Sequence, residues 1–429
     1  MEVRIHSRKL VKPSNPTPHH LRTMKLTCFD QIAPKSYASF VYFYPSHRRT
    51  ISGEDERFKQ LERSLSELLT LFYPLAGRFH EDDNSIDCND QGAELVEAEV
   101  NSHFHVVLRD AGADGNLITQ LVPFDELAWT SVMLGVQVNK FNCGGLAVGV
   151  SLSHKFADGF TIFSFTNGWA NSCNFGLNSV KRLSFDAASV LPPRVLNPLY
   201  GVPLPDDNSN KLITKRFVFS GPAITNLKSK TKNSPSRARG VMALIWKARI
   251  CVAQAKQGKF RDSVLIFPLN IRGKTAIHIP ENAAGNFFKN LTVRFTAKGK
   301  KPELDELVGL VQDAMKTATE NFAKTEAVDE LFSSATDCSK EIHEEIVRGT
   351  ANICVCSSCC GFPYYEADFG WGRPKWIASA HKPTDFVLMM DDSCGRGIEA
   401  WVTLEPDDMF RFRQDPDIIA FSSVARSEL

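Results

Sequence analysis

Apolar residues repeat at helical spacing in several long segments of the chain. The clearest segment is Glu54–Phe72, where large apolar side chains recur every three or four positions along one stripe. Pro74 should end this helix, because proline disfavours helical geometry in the residue before it. The same spacing predicts further helices over Gly159–Cys173, Ser236–Val252 and Glu303–Lys316.

Short apolar runs that are typical of β-strands alternate with these helices. Val136–Phe141 and Leu146–Ser153 flank a turn with two glycines, Gly144 and Gly145, and this pattern predicts a hairpin. Further strands are predicted over Val264–Leu269, Asp385–Met390 and Gly397–Leu404. Strands and helices interleave in both halves of the chain, which favours an α/β fold.

The length of 429 residues exceeds the size at which single cores usually stop growing, so two domains are expected. The stretch from Leu191 to Asn210 is rich in proline and polar residues. Such a composition is typical of a crossover between domains. The sequence therefore predicts a first domain over residues 1–195, a linker over 196–205 and a second domain from residue 206 onward.

The charge balance excludes some classes of partner. The formal net charge is +1, so no global field would draw the chain to nucleic acid or to an anionic membrane. The apolar runs are too short and too interrupted to span a bilayer, and residues 1–21 lack the apolar core of a secretory signal. We expect a soluble, cytoplasmic protein.

Eleven cysteines are scattered without a regular spacing, which favours reduced thiols over disulfides. Four of them lie close together in the sequence, at positions Cys354, Cys356, Cys359 and Cys360. No second pair of cysteines or histidines completes a zinc site nearby, so we expect small buried thiols in a core strand and no metal.

The first candidate for chemistry is His154, which follows an apolar strand and precedes Asp158 and Gly159. A histidine followed four positions later by an aspartate is a weak signal, because a second match occurs at His381 and Asp385. That second match lies in a polar, proline-containing segment that is typical of a surface loop. The context therefore favours His154, although a histidine satisfied within the core remains open at this point.

Other catalytic signatures are missing from the sequence. It contains no G-x-S-x-G nucleophile elbow, no Walker A loop, no dinucleotide fingerprint and no H-E-x-x-H helix. Serine hydrolases with an elbow, common nucleotide-binding enzymes and zincin proteases are therefore disfavoured.

A second unusual segment, Asp368-Phe369-Gly370-Trp371-Gly372, lies more than two hundred residues after the His154 motif. The two motifs, in this order and spacing, resemble those of the plant BAHD acyltransferase family. Other segments resemble that family in the expected order, namely Tyr73–Arg78, Ser236-Arg237, Trp246-Lys247, Asn270–Lys274 and Gly285-Asn286. The N-terminal run Val11–Pro18 is similar to the branch that contains vinorine synthase and the salutaridinol and deacetylvindoline acetyltransferases.

The resemblance implies an α/β fold of two chloramphenicol-acetyltransferase-like domains with mixed β-sheets and a solvent channel between them. His154 would lie midway along this channel. It also implies that a segment of about 366–390 returns to the first domain, so that the second domain comprises residues 206–365 and about 397–429.

In the catalytic site that the resemblance implies, His154 is the general base. Asp158 would pair with Arg272 and support the loop that carries His154. Trp371 would donate to the oxyanion through its indole N–H. Asp368, with Gly370 and Gly372, would set a structural turn.

The resemblance further implies an acyl-coenzyme A donor and a small-molecule alcohol acceptor, with no permanently bound cofactor and a monomeric enzyme. The candidates for binding the coenzyme A phosphates are Ser236, Arg237, Arg272 and Lys274. For each basic residue, a solvated surface charge is the simpler alternative.

The expected activity is O-acyl transfer, with acetyl from acetyl-CoA to a hydroxyl of an alkaloid or terpenoid. Transfer of benzoyl or hydroxycinnamoyl groups is an alternative, as is a relative that binds ligands or catalyses an isomerisation without acyl transfer. One departure bears on this choice: many relatives carry a tryptophan and an arginine where this chain has Cys359 and Gly361. Smaller, uncharged residues at both positions are expected to widen or neutralise part of the site.

Overall fold

The predicted strands form two large mixed β-sheets in a computed structural model of the protein. The structure describes residues 1–46, 54–113, 115–126, 128–195, 212–232, 234–381 and 384–424. The strands in these ranges, in chain order, are β1 Val3–Val11, β2 Thr23–Lys25, β3 Tyr37–Tyr44, β4 Arg78–His80, β5 Ser85–Asp87, β6 Ala93–Val100, β7 Leu134–Phe141, β8 Leu146–Ser153, β9 Ile213–Phe219, β10 Ser263–Asn270, β11 Phe288–Phe295, β12 Asn352–Ser358, β13 Trp376–Ser379, β14 Val387–Asp391, β15 Ile398–Leu404 and β16 Ser423–Val424.

The first sheet carries the strand that precedes His154. Within the described ranges it has the order β1-β6-β7-β8-β3-β13, and only the β6 and β7 neighbours are parallel. The predicted hairpin is confirmed, because β7 and β8 pair as antiparallel neighbours. In β3 and β8, Tyr37 lies opposite Ser153 and Tyr44 lies opposite Leu146, so the two ends of β3 are far apart on the sheet.

The second sheet comes mostly from the second half of the chain. As far as the structure describes it, its order is β11-β10-β12-β14-β15-β9-β16, with β12 parallel to both of its neighbours. The late hairpin predicted from the sequence is the antiparallel pair β14 and β15. A small antiparallel sheet, β2-β5-β4, accompanies the first sheet.

Helices cover both sheets and follow the predicted apolar stripes. Those in the described ranges are α1 Cys28–Gln31, α2 Glu54–Leu69, α3 Phe104–Ala113, α4 Gly159–Phe175, α5 Gly221–Ser229, α6 Arg237–Gln257, α7 Leu304–Lys324, α8 Val328–Arg348, α9 Pro406–Gln414 and α10 Pro416–Phe421. The predicted α2 is confirmed, but it ends three residues earlier than Phe72, before a short 3₁₀ turn over Tyr73–Ala76. Its apolar stripe, including Leu61, Leu65 and Leu68, is fully buried.

The buried side chains form two main hydrophobic cores, one against each large sheet. The division follows the sequence halves, with exceptions in which each core takes in residues from the other half. Phe369 and Trp371 pack in the first core, although they lie late in the chain. Cys28 and Phe29 of α1 pack in the second core, although they lie early in the chain.

These exceptions bear on the predicted domain boundaries. In the predicted return segment, β13 joins the first sheet, whereas β14 already lies in the second sheet. The crossover therefore falls between Ser379 and Val387. The predicted linker, 196–205, lies outside the described residues.

The cysteine cluster is partly as expected from the sequence. Cys354 and Cys356 are buried in β12, whereas Cys359 and Cys360 follow the end of that strand. All eleven cysteines are free, and no group of metal-ligating side chains forms a cluster in the described part of the chain. None of the helices described has both the length and the apolar character needed to cross a membrane.

Candidate active site

His154 lies in the loop that joins β8 to α4. Its backbone N–H donates to the carbonyl of Ser36 at 2.8 Å, and its carbonyl accepts from Nδ2 of Asn286 at 2.9 Å. The backbone is therefore held from both sides of the loop. The residue is partly exposed, whereas its Nδ1 atom is buried and has no hydrogen-bond partner of good geometry among the described residues.

Burial lowers the pKa of His154 below its usual 6.5. The carbonyl of His154 itself, the negative charge of Asp158 and the side chain of Asn286 oppose this shift, in that order. A lowered pKa keeps the imidazole neutral at pH 7, and a neutral imidazole can accept a proton. An imidazole in this neutral state is chemically able to act as a general base.

Asp158 points away from the imidazole and forms a buried ion pair with Arg272. The atoms Nη1 and Nη2 of Arg272 lie 2.6 and 3.2 Å from the two carboxylate oxygens. Asp158 also caps α4 by accepting from the N–H of Thr161 at 3.0 Å, and it accepts from the N–H of Phe287 at 3.2 Å. This geometry confirms the expected pair and makes Asp158 a support of the His154 loop.

Arg272 is not available to bind coenzyme A phosphates, and this corrects the sequence-based expectation. Besides the ion pair, its Nε donates to the carbonyl of Ala283 at 2.9 Å and its Nη2 donates to that of Gly285 at 2.9 Å. Its guanidinium lies 4.5 and 4.6 Å from the ring centroids of Phe160 and Phe287. Each of the three guanidinium nitrogens thus already has a hydrogen-bond acceptor within the protein.

The other predicted donor-binding residues remain candidates. Ser236 caps the start of α6, where its Oγ accepts from the N–H of Arg239 at 3.4 Å. Arg237 is partly exposed and lies 3.1 Å from Asp391. Lys274 donates to the carbonyl of Asn270 at 2.7 Å, and burial lowers its pKa.

The segment from Asp368 to Gly372 forms a turn, as predicted. Oδ1 of Asp368 accepts from the N–H groups of Gly370 and Gly372 at 2.8 and 2.9 Å. Both glycines have φ +103°, a conformation that other residues rarely adopt. Asp368 is partly exposed, and its role is to hold this turn.

Trp371 does not lie near His154. Its ring makes an edge contact with Tyr44, at 6.3 Å between centroids. Tyr44 ends β3, whereas His154 follows Ser153, which lies opposite Tyr37 at the start of that strand. At about 3.3 Å per residue, seven residues separate the two ends by roughly 23 Å. This placement contradicts the predicted role of Trp371 as oxyanion donor and makes it a core residue instead.

His381 lies in the link between β13 and β14, as predicted, but it is more buried than the sequence-based description of a surface loop implies. It is partly buried, its Nδ1 lies 3.1 Å from the hydroxyl of Ser379, and its ring contacts Phe386. Burial lowers its pKa to about 4. Asp385, the acid of this second motif, forms an ion pair with Arg249. His154 is still the preferred candidate for the general base, because Nε2 of His381 is buried.

Three supporting residues were not identified as functional from the sequence. Asp30 accepts from the N–H and the Nδ2 of Asn286 at 2.7 and 3.0 Å, and it lies 256 positions away in sequence. Lys155 donates to the carbonyls of Gln31 and Ala33 at 2.7 and 3.2 Å, and burial lowers its pKa to about 8. The sequence signal for Asn286 was its place in a family-like segment, whereas Asp30 and Lys155 carried no signal of their own.

Cys359 and Gly361 have different surroundings. Cys359 is buried, and a Cβ built on Gly159 at the start of α4 would lie 3.8 Å from its Sγ. Gly361 is exposed, has φ +91° and has open space where a side chain would begin. A larger side chain therefore has open space at Gly361, whereas at Cys359 it would have to displace packed neighbours.

We expect Gly361→Arg to change the relative kcat/KM among donors or acceptors, because it adds a charge to open space beside α4. Its positive φ should cost about 1–2 kcal/mol of stability. Cys359→Trp should instead lower stability by about 1–3 kcal/mol through overpacking. Melting curves and competition assays with paired substrates measure both effects.

Gly361→Ala is the matched control, because it carries the same backbone strain without the charge. Equal substrate preference in the Gly361→Arg and Gly361→Ala proteins would show that the position does not influence selection.

Known proteins are similar to this chain over nearly its whole length. The chain matches a family described as "Transferase family" over residues 1–419. Acetyl-CoA-benzylalcohol acetyltransferase of Clarkia breweri is 33% identical, with 99% of this chain and 100% of that protein covered. Epi-neemfruitin B synthase of Melia azedarach is 34% identical, with 100% of each chain covered. The crystal structure of vinorine synthase matches with a TM-score of 0.84 at 29% identity and covers 100% of both chains.

Proposed function

The chain belongs to this transferase family, the BAHD acyltransferases, and on that premise we propose that it transfers acetyl from acetyl-CoA to a hydroxyl of a plant specialised metabolite. The family assignment makes it an acyltransferase that depends on coenzyme A thioesters. The choice of acetyl is supported by the Clarkia relative, whose name specifies acetyl-CoA and an alcohol.

The imidazole of His154 is the observation that carries the proposal. It is partly exposed, its pKa is lowered by burial, and its backbone is fixed by Ser36 and Asn286. A base held in this way can take the proton of an alcohol as its oxygen attacks the thioester carbonyl. The sulfur–carbon bond then breaks, and the leaving thiolate of coenzyme A receives the proton from His154.

No side chain needs to form a covalent intermediate in this sequence of steps. Both substrates are bound together, so that binding energy is used for their mutual orientation. The Asp158–Arg272 pair contributes by fixing the loop between β8 and α4. We propose that a channel between the two sheet-based domains brings the donor and the acceptor to His154 from opposite faces.

Phosphate binding is proposed for Ser236, Arg237 and Lys274. In support, Ser236 and Arg237 start a helix of 21 residues, and a helix N-terminus favours anions. Arg237 already has Asp391 as a partner, so a phosphate would compete with that carboxylate. Cytoplasmic location and a monomeric state remain predictions, and the eleven free thiols favour a reducing compartment.

The direct test uses the purified protein with acetyl-CoA and a panel of alcohols that includes benzyl alcohol. Free thiol should appear only when an acceptor hydroxyl is present, together with the acetate ester in the product fraction. Benzoyl-CoA and a hydroxycinnamoyl-CoA are tested in parallel with the same acceptors. Faster turnover with either bulky donor would replace acetyl in the proposal, and no thiol release with any pair would reject acyl transfer.

The lowered pKa of His154 predicts a particular pH dependence. The base is lost when the imidazole is protonated, so kcat/KM should fall toward acidic pH with a midpoint below 6.5. Activity should therefore exceed half of its maximum at pH 6.5 and rise further toward neutral pH. A pH–rate profile in buffers of constant ionic strength measures the midpoint, and a midpoint above 6.5 would contradict a desolvated imidazole.

A further inference from the structure

The amide of Asn286 lies between the catalytic histidine and a buried carboxylate. Its two Nδ2 hydrogens are both used: Nδ2 lies 3.0 Å from Oδ1 of Asp30 and 2.9 Å from the carbonyl oxygen of His154. A flipped amide would place its oxygen against these two acceptors. The hydrogen-bond network therefore fixes which end of the amide is oxygen.

Two buried polar atoms remain without a partner next to this network. They are Oδ1 of Asn286 and Nδ1 of His154, and neither makes a hydrogen bond of good geometry within the part of the chain described. One is an acceptor and the other can carry a proton, so they complement each other. The Asn286 side chain also acts on the imidazole as a hydrogen-bond partner that raises its pKa.

The opposite side of the amide is anchored by Asp30, which is almost completely buried. Its Oδ1 accepts from the backbone N–H and the Nδ2 of Asn286, and its Oδ2 accepts from the backbone N–H and the hydroxyl of Thr27 at 3.0 and 2.6 Å. All four contacts are donors, which stabilise a carboxylate and oppose the effect of burial, although burial is the larger effect and raises the pKa of Asp30. Gly285 permits this approach, because a Cβ there would lie 3.3 Å from Oδ1 of Asp30.

We propose that Asn286, oriented by Asp30, is a positioning residue that accepts a hydrogen bond from Nδ1–H of His154 and thereby fixes the catalytic tautomer. With the proton on Nδ1, the lone pair of Nε2 is free to take the proton of the acceptor. This inference rests on the proposed function of His154 as the base. It assigns to an amide and a remote carboxylate the orienting task that Asp158, paired with Arg272, does not perform.

A competing acceptor for Nδ1–H is the carbonyl of His154 itself, which also raises the pKa of the imidazole. That carbonyl already accepts a hydrogen bond from Nδ2 of Asn286. Oδ1 of Asn286, in contrast, accepts no hydrogen bond of good geometry from the described residues. The charged groups around this network are Asp158 on the same loop, Asp30 behind the amide and Lys155, whose Nζ contacts the carbonyls of Gln31 and Ala33. The experiment must separate the effect of the Asn286 amide on the imidazole from the effects of these other groups.

The test is ¹⁵N NMR of the full-length protein labelled at histidine, without any substrate. The His154 signals are identified by their loss in His154→Gln, and the shifts of the two ring nitrogens report which one carries the proton. We expect the wild-type ring to be protonated at Nδ1 throughout the neutral range. In Asn286→Ala we expect a mixture of both tautomers and an imidazole pKa lower by about one unit, because the charged ring loses an acceptor.

Two further variants separate positioning from a general loosening of the loop. Asp30→Asn keeps the amide of Asn286 but removes the carboxylate that orients it, and it should give the same change to a smaller extent. Thr161→Val is the matched control, because the Thr161 hydroxyl holds Gly285 from the other side at 3.1 and 3.2 Å and does not touch the imidazole. It should lower the melting temperature without changing the tautomer.

An unchanged tautomer and pKa in Asn286→Ala would overturn the proposal and leave the carbonyl of His154 as the partner. The same change in Thr161→Val as in Asn286→Ala would overturn it as well. Since no substrate is present, a protein that fails to transfer acetyl but shows the expected tautomers would refute the proposed function and leave this inference intact. In an active enzyme, the acid limb of kcat/KM should shift downward in Asn286→Ala by the same amount as the imidazole pKa of the free protein.

Discussion

Replacing His154 with alanine is expected to lower kcat by about 10²–10⁴-fold, the usual contribution of a positioned general base. The substitution removes the proton acceptor while the backbone contacts to Ser36 and Asn286 can persist, since both use main-chain atoms of residue 154. The fold should therefore remain. Thiol release at saturating acetyl-CoA measures kcat, and a melting curve confirms that the variant is folded.

His381→Ala serves as the control for this experiment, because His381 is the second histidine of the same sequence pattern. It is partly buried, so the variant should lose some stability. Its turnover should stay near that of the wild type. A dispensable His154 together with an essential His381 would refute the assignment of the base.

Breaking the Asp158–Arg272 pair is expected to have the largest effect on stability. Both side chains are buried, and removing one partner of a buried pair typically costs about 3–5 kcal/mol because the other charge stays unmatched. Asp158→Asn and Arg272→Met should each lower the free energy of unfolding by that amount, and each should reduce activity. The double variant should cost much less than the sum, since it leaves no unpaired charge.

Urea unfolding of the two single variants and the double variant provides the measurement. Glu344→Gln is a suitable control, because Glu344 forms ion pairs with exposed partners on one helix face. Such a surface pair contributes about 0.5 kcal/mol or less. Additive losses at positions 158 and 272 would mean that the two charges do not interact in solution.

The sequence was sufficient to place the candidate base His154 between a strand and a helix, with Asp158 at the start of that helix. His154 follows a strand that a short apolar run and a glycine hairpin predict, and Asp158 lies four positions later at the start of a helix. Local patterns of this kind depend on neighbours in the chain. The pairing of Asp158 with Arg272 came from the family resemblance, and the geometry confirms it.

The sequence was insufficient where function depends on contacts between remote segments. Asp30 meets Asn286 across 256 positions, and no periodicity in either segment signals that contact. Trp371 lies in a motif as distinctive as that of His154, yet it packs at the opposite end of β3. A motif shows that a segment is constrained, but only the fold shows whether the constraint is catalytic or structural.

Contacts between remote segments also explain why the sequence did not predict the burial of His381. The residue is surrounded in sequence by polar residues and a proline, which suggest exposure. In the structure it follows β13, an edge strand of the first sheet, and packs against Phe386 just before β14. Its burial arises from the crossover between the two sheets, which the local composition does not reveal.

The late entry of β13 into the first sheet has a consequence for how the protein is made. On the ribosome, β3 and the His154 loop emerge early, but the strand that covers the open edge of β3 follows only at Trp376–Ser379. The ion pair of Asp158 likewise cannot form before Arg272 has been synthesised, and the hydrogen bond of Asp30 cannot form before Asn286 has been synthesised. An uncovered strand edge invites pairing with other chains. The ribosome therefore adds more than two hundred residues after His154 before that edge is covered.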